Sequence, residues 1–236
     1  MKAQVQKTYY INTLYIIVVF LLIESSCKKE TSQLVKLVPA TVTDIDGNVY
    51  HTLKIGSQVW LRENLKTSHY RNGGVIQNIN FSNIWSINTT GAWCSYDNLT
   101  LNDSIYGKLY NWYAVNTGNL CPTGWHVPDP LEWGQLLDFL DGNSIAGGKL
   151  KETGTSHWAY PNTSASNAVS FTALPGGMIY TNFSGIGQEA YWWCTWSYFW
   201  NPDRGYGVNI HYNGSLCEDY IYYNKAYGLS VRCVMD

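Results

Sequence analysis

Length, composition and charge limit what this chain can be. Its 236 residues suffice for one large domain or two small ones, and aromatic residues (15%) outnumber charged ones (14%), which excludes a disordered segment. Fifteen Lys and Arg against seventeen Asp and Glu leave a net charge of -2, so no basic field is available to attract nucleic acid.

The first residues have the pattern of an export signal. Two lysines precede an unbroken apolar run at 14–23, which is too short for a spanning helix of about 20 apolar residues but suits a secretory signal. Residues 1–26 are therefore predicted to be a signal peptide. Two serines before Cys27 resemble the lipobox of bacterial lipoproteins, which predicts acylation of Cys27; an ordinary signal peptide is the alternative.

The next segment, residues 27–40, is predicted to be a lipidated cysteine followed by a tether. It is polar and has no periodic apolar face, as a linker between a lipid anchor and a folded domain at 41–236 would be. The predicted membrane contact is through acyl chains alone. The predicted location is the cell envelope, at the outer membrane or the cell surface.

Turn signals divide the domain into many short strands. Asp46-Gly47-Asn48 and Gly56-Ser57 separate strand-like runs near its start, and Asn213-Gly214 does so near its end, which predicts β-hairpins. Spaced oxygen ligands around Asp46 could also suit calcium. The acidic residue that completes a calcium loop is absent at position 55, however, so a turn is the favoured interpretation.

One strong helix is predicted at 129–141. Asp129 can cap it, Pro130 takes the first helical position and Glu132 can complete a capping box. An apolar stripe at helical spacing then predicts a face buried against a sheet; it consists of Trp133, Leu136, Leu137 and Leu140. A second helix is predicted at 106–115, and long ordered loops are predicted after Gly142.

Cysteine counting favours disulfides over metal. If Cys27 carries lipid, five cysteines remain, and an export signal makes two disulfides with one spare thiol a sensible expectation. These five are Cys94, Cys121, Cys194, Cys217 and Cys233. Spacing alone leaves their connectivity open. Since no close Cys or His pairs occur, zinc is disfavoured, and neither a metal nor a cofactor is predicted.

Five ordered blocks carry a family resemblance. They are Asp44-Ile-Asp-Gly-Asn-Val-Tyr50, Ile55-Gly-Ser-Gln-Val-Trp-Leu-Arg-Glu-Asn-Leu65, Tyr106-Gly-Lys-Leu-Tyr-Asn-Trp-Tyr-Ala-Val115, Leu120-Cys-Pro-Thr-Gly-Trp-His-Val-Pro128 and Gly228-Leu-Ser-Val-Arg-Cys-Val234. Together they resemble the Fibrobacter succinogenes major paralogous domain over about residues 42–236. The resemblance implies an α+β, C-type-lectin-like fold with short antiparallel strands, one or two helices and long ordered loops, on bacterial secreted proteins and lipoproteins without an assigned activity.

The same resemblance implies a disulfide pattern. The fold commonly bridges a cysteine beside its helix to one in its last strand, which here are Cys121 and Cys233. Cys194 and Cys217 both depart from the family's usual residues, and this joint departure suggests that they pair. Cys94 is then the spare thiol and is expected to be buried.

Aromatic and polar residues crowd one segment and form the candidate ligand site. Aromatic faces beside amide and carboxylate groups suit sugar rings or peptide surfaces, although such rings can also simply fill a core. The predicted ligand-binding residues are Trp196, Tyr198, Trp200, Asn201, Asp203 and Tyr206. Residues 201–203 loosely resemble a sugar-coordinating triplet of calcium-dependent lectins, with Glu218 or Asp219 as further ligands. Its partner triplet is missing, so calcium is disfavoured.

Three functions remain at this stage. The favoured one is a lipid-anchored, non-catalytic binding module for surface glycans or proteins, and the second is an adhesion or surface-coat protein. The third is an enzyme, because formylglycine-generating oxidases share the broad fold implied by the resemblance, but Cys194 and Cys217 match their reactive pair only superficially. His126 is expected to be a packed structural residue, so no catalytic residue is predicted.

Overall fold

The described part of the structure, a computed structural model, is residues 38–236. The predicted signal peptide, Cys27 and most of the predicted tether lie outside it. In chain order its elements are β1 (Thr41–Thr43), β2 (Val49–Ile55), β3 (Gln58–Leu61), β4 (Gln77–Asn78), α1 (Ser82–Trp85), β5 (Ala92–Cys94), a 3₁₀ turn (Tyr96–Asn98), α2 (Thr100–Tyr106), β6 (Leu109–Tyr110), α3 (Trp112–Val115), β7 (Trp125–His126), α4 (Pro130–Phe139), α5 (Asn143–Leu150), β8 (Gly176–Ile179), β9 (Phe183–Ile186), β10 (Glu189–Ser197), β11 (Arg204–His211), β12 (Cys217–Asn224) and β13 (Val234–Met235). Strands with a few short helices are compatible with the predicted α+β class. No helix in this range is both long and apolar enough to cross a membrane.

Five strands form the largest sheet, in the order β1-β2-β3-β13-β7, and each neighbouring pair is antiparallel. Both predicted turns near its start are confirmed. In the first, an Asp44 carboxylate oxygen accepts hydrogen bonds from the backbone N–H groups of Asp46 and Asn48, each at 2.9 Å. Its second oxygen accepts a 2.6 Å bond from the Tyr50 hydroxyl. The side chain of Asp44 therefore closes the turn by hydrogen bonding.

The second sheet consists of three long antiparallel strands in the order β10-β11-β12. The predicted Asn213-Gly214 turn lies between β11 and β12 and is confirmed. Two smaller sheets, β4-β5-β6 and β8-β9, complete the strand pairing described for residues 38–236.

Helix α4 confirms the strongest helix prediction. The Asp129 carboxylate accepts from the Glu132 N–H and the Glu132 carboxylate accepts from the Asp129 N–H, both at 2.9 Å, which completes the capping box. The predicted stripe is buried. The Trp133 ring lies 4.9 Å from that of Trp60 on β3 and 5.7 Å from that of Trp192 on β10, so the helix links both larger sheets in one core.

The predicted helix at 106–115 is wrong. Gly107 ends α2 at a φ of +77°, and a Cβ there would lie 2.8 Å from the backbone oxygen of Leu65. Residues 109–110 form β6 against β5, and Tyr110 exchanges backbone hydrogen bonds with Leu229. Asn111 then caps the single turn α3. The apolar spacing reflects burial of a strand and a short helix in succession.

Helix α5 was not predicted from the sequence, because glycines 147 and 148 suggested a loop. A Cβ at Gly147 would lie 2.5 Å from the backbone oxygen of Leu216, and one at Gly148 would lie 2.7 Å from that of Ser164. The glycines therefore let the helix approach two backbone segments closely. The long irregular segment that was predicted follows at 151–175.

One disulfide joins the region before β7 to the region before β13. Cys121 and Cys233 are bonded, with Cα atoms 6.1 Å apart, as the family resemblance implied. The suggested pairing of Cys194 with Cys217 is wrong, since both are free thiols. Strand β11 separates them, and strands two apart lie about 9.6 Å from each other, whereas a disulfide needs Cα atoms within about 7 Å. Cys94 is free and buried, as expected.

Candidate functional site: an aromatic face on the second sheet

Seven aromatic side chains form an exposed surface on β10, β11, β12 and the β10–β11 turn. We call this surface the aromatic face; it comprises Trp196, Tyr198, Phe199, Trp200, Tyr206, Tyr220 and Tyr222. Phe199 and Trp200 are 84% and 80% exposed, and Trp196, Tyr220 and Tyr222 are 42–44% exposed. Neighbouring exposed aromatic side chains mark a candidate interaction surface.

Six of the seven rings of the aromatic face contact another ring of the face. Tyr206 packs edge-on against Tyr198, Tyr220 and Tyr222, with centroids 5.7, 6.0 and 6.4 Å away. Phe199 and Trp200 form a separate edge-to-face pair at 5.1 Å. Mutual contact restricts the rotamers of these rings, so a ligand would meet a surface that is largely formed in advance.

The sequence Arg204-Gly205-Tyr206-Gly207 explains why this side of the sheet is aromatic. Successive residues of a strand point to opposite sides, so Tyr206 lies on the side opposite to the two glycines, where it is half-buried against the core cluster that contains Val208. A Cβ at Gly205 would lie 2.4 Å from Trp112. Because glycine has no side chain, large core rings can pack against one side of β11 at these positions, while Arg204 and Tyr206 lie on the other side.

The turn between β10 and β11 holds the polar residues predicted for the site. The Asn201 side-chain oxygen accepts a 3.0 Å hydrogen bond from the Asp203 N–H, which makes Asn201 part of the turn. Asp203 is exposed. Arg204 donates a 3.3 Å bond to the backbone oxygen of Tyr222, which positions its guanidinium beside the rings.

A cleft of about 210 Å³ adjoins the aromatic face, and we call it the tyrosine cleft. Tyr222 belongs to both features, and Arg204 lines the cleft beside it. The other lining residues are Tyr180, Tyr223, Asn224 and Tyr227. Tyr180 and Tyr227 stack in parallel, with centroids 4.6 Å apart, and form one wall. The cleft thus combines flat apolar walls with an arginine and an amide.

The acidic residues considered for calcium have other partners. Glu218 lies 3.3 Å from His211, and the Asp219 carboxylate accepts from the Asn143 side chain. Within residues 38–236, no group of three or more His, Cys, Asp and Glu side chains is placed to hold a metal ion.

The structure brings the predicted site residues together in part. Tyr198 and Tyr206 touch, Trp200 and Asn201 lie in the turn, and Trp196 lies at the end of β10. Tyr220 and Tyr222 of β12 were not among the site residues predicted from the sequence. Tyr222 pairs in register with Tyr206, and the alternation of exposed tyrosines along the last part of β12 was the signal that could have found them.

Other reactive side chains are less suited to chemistry. The thiols of Cys194 and Cys217 are completely buried, and burial raises the pKa of each, so neither is a thiolate at neutral pH. His126 lies between two carboxylates, 2.9 Å from that of Glu132 and 2.6 Å from that of Asp236. Glu132 belongs to the capping box, so His126 contacts a residue that fixes the start of α4.

The family of the chain follows from a match over most of its length. A model of the Fibrobacter succinogenes major domain matches residues 53–235. The chain belongs to this family. The matched range contains the disulfide, the aromatic face and the tyrosine cleft, so all three are features of the Fibrobacter succinogenes major domain in this chain. Neither a curated protein nor a solved structure matches the chain.

Proposed function

We propose that this chain is a lipid-anchored, extracytoplasmic, non-catalytic module that binds a glycan on the aromatic face. One observation carries the proposal: seven aromatic side chains lie on a three-stranded sheet and its turn, four of them form one ring cluster, and five of the seven are at least 42% exposed. Apolar C–H faces of sugars pack well on such rings, and phenol hydroxyls supply hydrogen bonds at their edges.

The polar groups around the rings support a sugar ligand. Asp203 offers an exposed carboxylate in the turn, and Arg204 offers guanidinium donors beside Tyr222. The tyrosine cleft, at about 210 Å³, has room for roughly one sugar ring. A chain of sugars that crosses the aromatic face would place one unit in this cleft.

The proposal includes a C-type-lectin-like fold and an anchor at Cys27. A capped helix beside a disulfide, short antiparallel strands and the irregular segment 151–175 support this fold. The disulfide also supports a location outside the cytoplasm, where such bonds persist. The acyl anchor follows from the sequence around Cys27.

A non-catalytic role is supported by the state of the cysteines. An oxidase of the formylglycine-generating type would require a reactive cysteine pair in a cleft. Cys194 and Cys217 are buried on strands that are not neighbours, and neither lines the tyrosine cleft.

The second candidate is adhesion to a protein, and the turn between β10 and β11 favours it. Phe199 and Trp200 project as one edge-to-face pair and are the most exposed rings of the aromatic face. Aromatic anchors of this kind dominate many protein interfaces when they enter a pocket of the partner. Lipid-anchored copies at a surface could add avidity to weak contacts.

A glycan and protein array distinguishes these candidates. We expect the folded protein to bind a set of glycans, and Tyr222→Ala and Trp200→Ala each to weaken that binding by about tenfold. Phe81→Ala, which removes a 67% exposed ring outside the aromatic face, is the matched control. The same array with EDTA and with Asp203→Ala tests whether calcium takes part.

The array has decisive outcomes. Glycan binding that depends on the aromatic face but survives Phe81→Ala supports the proposal. Binding to proteins alone would indicate that the same site serves adhesion and not glycan binding. Glycan binding that is equal in all three variants would show that the ligand lies elsewhere on the domain.

A further inference from the structure

A second cleft, whose lining residues include no aromatic side chain, has the features of an anion-binding site. It has a volume of about 190 Å³ and we call it the basic cleft. The lining residues that matter are Arg62, Glu63, Asn64, Lys66, Thr172 and Arg232. None of them belongs to the aromatic face or to the tyrosine cleft.

Arg232 is the unusual residue of the basic cleft, because its side chain is only 1% exposed. Its guanidinium lies 4.0 Å from the centroid of the Phe171 ring and 5.7 Å from that of Trp192. Apolar rings therefore surround a permanent positive charge. A buried charge of this kind is costly unless it is paired.

The partners of Arg232 are neutral. Its Nε and Nη2 donate to the Asn64 side-chain oxygen at 3.2 and 3.0 Å, and its Nη1 donates to the Phe171 backbone oxygen at 2.6 Å. Among residues 38–236 these bonds use three of the five guanidinium N–H groups, which leaves one on Nη1 and one on Nη2 without a protein acceptor. One hydrogen from each of these two nitrogens is what an oxyanion accepts in a bidentate pair.

Two further cations face the same cleft. Arg62 donates to the Thr172 hydroxyl at 3.3 Å, and Lys66 donates to the backbone oxygen of Ser104 at 3.1 Å. Neither forms an ion pair within residues 38–236, nor does Arg232. The cleft therefore contains three cations whose contacts are with neutral oxygens.

The acidic residue of the cleft has its own partner. Glu63 accepts hydrogen bonds from the backbone and ring nitrogens of His51, each at 2.8 Å, on the β2 side. Among the ion pairs of residues 38–236 Glu63 is paired with His51 and not with Arg232, although its charge partly offsets the lowering of the Arg232 pKa by burial. One carboxylate against three cations leaves the basic cleft with a positive balance.

The wall opposite Arg62 is held in an uncommon backbone conformation. Thr172 has a φ of +52°, which is rare for a β-branched residue. Its N–H donates to the Asn167 side-chain oxygen at 2.8 Å, which fixes the loop and the hydroxyl it presents. Strain of this kind persists where surrounding structure requires it, and it is concentrated at binding sites.

We propose that the basic cleft binds the oxyanion group of a small acidic ligand, with Arg232 as the buried contact and Arg62 and Lys66 at the rim. The ligand carries a carboxylate, phosphate or sulfate group, which share the acceptor geometry that a guanidinium matches. The volume limits the bound part to about one small acid or one charged sugar ring. This site is separate from the aromatic face and does not depend on glycan binding there.

Titration with defined anions tests the proposal. The probes are glucuronate, inorganic phosphate and inorganic sulfate, with glucose as the neutral analogue of glucuronate, all at constant ionic strength. We expect saturable binding of at least one anion by calorimetry, and we expect the Arg62→Gln/Lys66→Gln double variant to weaken it by about tenfold or more. Lys54→Gln, which removes an exposed cation of β2 outside the cleft, is the matched control.

Every outcome decides the proposal. Binding by one or more anions that is lost in the double variant and kept in Lys54→Gln supports it, and the tightest probe identifies the oxyanion. No saturable binding at millimolar concentration overturns it, as does binding that the double variant leaves unchanged or that Lys54→Gln weakens equally. Arg232→Lys, which keeps the charge but removes the planar guanidinium that can donate to two oxygens at once, is a further test. If that variant does not fold, the variants of Arg62 and Lys66 still test the proposal.

Discussion

The rings of Tyr198 and Tyr222 stack with centroids 4.2 Å apart and planes 9° from parallel, although β11 lies between the two segments that carry them. Tyr206 from β11 meets both rings edge-on. One tyrosine from each of three neighbouring segments thus forms a single cluster. The sheet itself therefore brings these rings into contact, so the central part of the aromatic face does not need a ligand to form.

A double-mutant cycle on Tyr198 and Tyr222 tests this cluster. We expect the two alanine substitutions to couple by about 0.5–1.5 kcal/mol in the free energy of unfolding, because removal of either ring removes the stack. Urea unfolding of the four proteins measures the coupling. Additive effects would show that the rings do not stack in solution.

Loss of the disulfide is expected to destabilise the domain strongly. Cys121 and Cys233 are 112 residues apart in sequence, so their bond restricts a long loop in the unfolded chain. The Cys121→Ala/Cys233→Ala variant should lose roughly 2–5 kcal/mol of unfolding free energy, measured by urea titration. Reductant should destabilise the wild type and leave the variant unchanged; an effect on both would implicate another bond.

The stability of the domain is expected to decrease with rising pH around His126. Its hydrogen bond to Glu132 is the main reason that its pKa is raised to about 9, and the hydrogen bond to Asp236 adds to this. The unfolded chain has a pKa near 6.5 for histidine. The stabilisation is therefore complete below about pH 6.5 and disappears between about pH 6.5 and 9.

The size of this pH effect is limited by solvent. The His126 side chain is 37% exposed, so screening reduces the stabilisation to about 1 kcal/mol. The difference in unfolding free energy between wild type and His126→Gln, measured from pH 6 to 9.5, isolates it. A difference that stays constant over this range would contradict the raised pKa.

Gly205 is expected to tolerate no side chain. Its Cβ would lie 2.4 Å from Trp112, whose ring nitrogen donates to the Cys194 backbone oxygen. Gly205→Ala should cost about 1–3 kcal/mol through overpacking, measured by thermal unfolding. Gly214→Ala is the control, since its nearest new contact would be 3.9 Å away. Equal effects of the two substitutions would show that the Trp112 contact is not responsible.

The elements that could be predicted from the sequence are those whose conformation depends on residues close to them in the chain. The capping box of Asp129 and Glu132 fixes the start of α4, because neighbouring residues supply its hydrogen bonds, and the Asn213-Gly214 signal correctly marks the connection between β11 and β12. The segment at 106–115 was misjudged because its conformation depends on Leu65 and Leu229, which are distant in sequence.

In the candidate site, too, the residues that are close in sequence could be predicted and those brought together by the fold could not. Local crowding of aromatic residues indicated Trp200 and its neighbours in the turn. Tyr222 was missed because its place beside Tyr206 depends on strand register, which no short motif encodes. The basic cleft was not predicted at all, since it joins Arg62 and Arg232 from opposite ends of the domain.

The position of β13 has a consequence for the order of events during biogenesis. Val234 pairs with Trp60 on one side and with His126 on the other, so β3 and β7 have no shared neighbour until residue 234 is available. Chain emerging progressively from a ribosome or an export channel would hold two unpaired strand edges until that point. Completion of the large sheet must therefore follow synthesis of almost all of the matched family domain, and these edges are exposed to incorrect pairing in that interval.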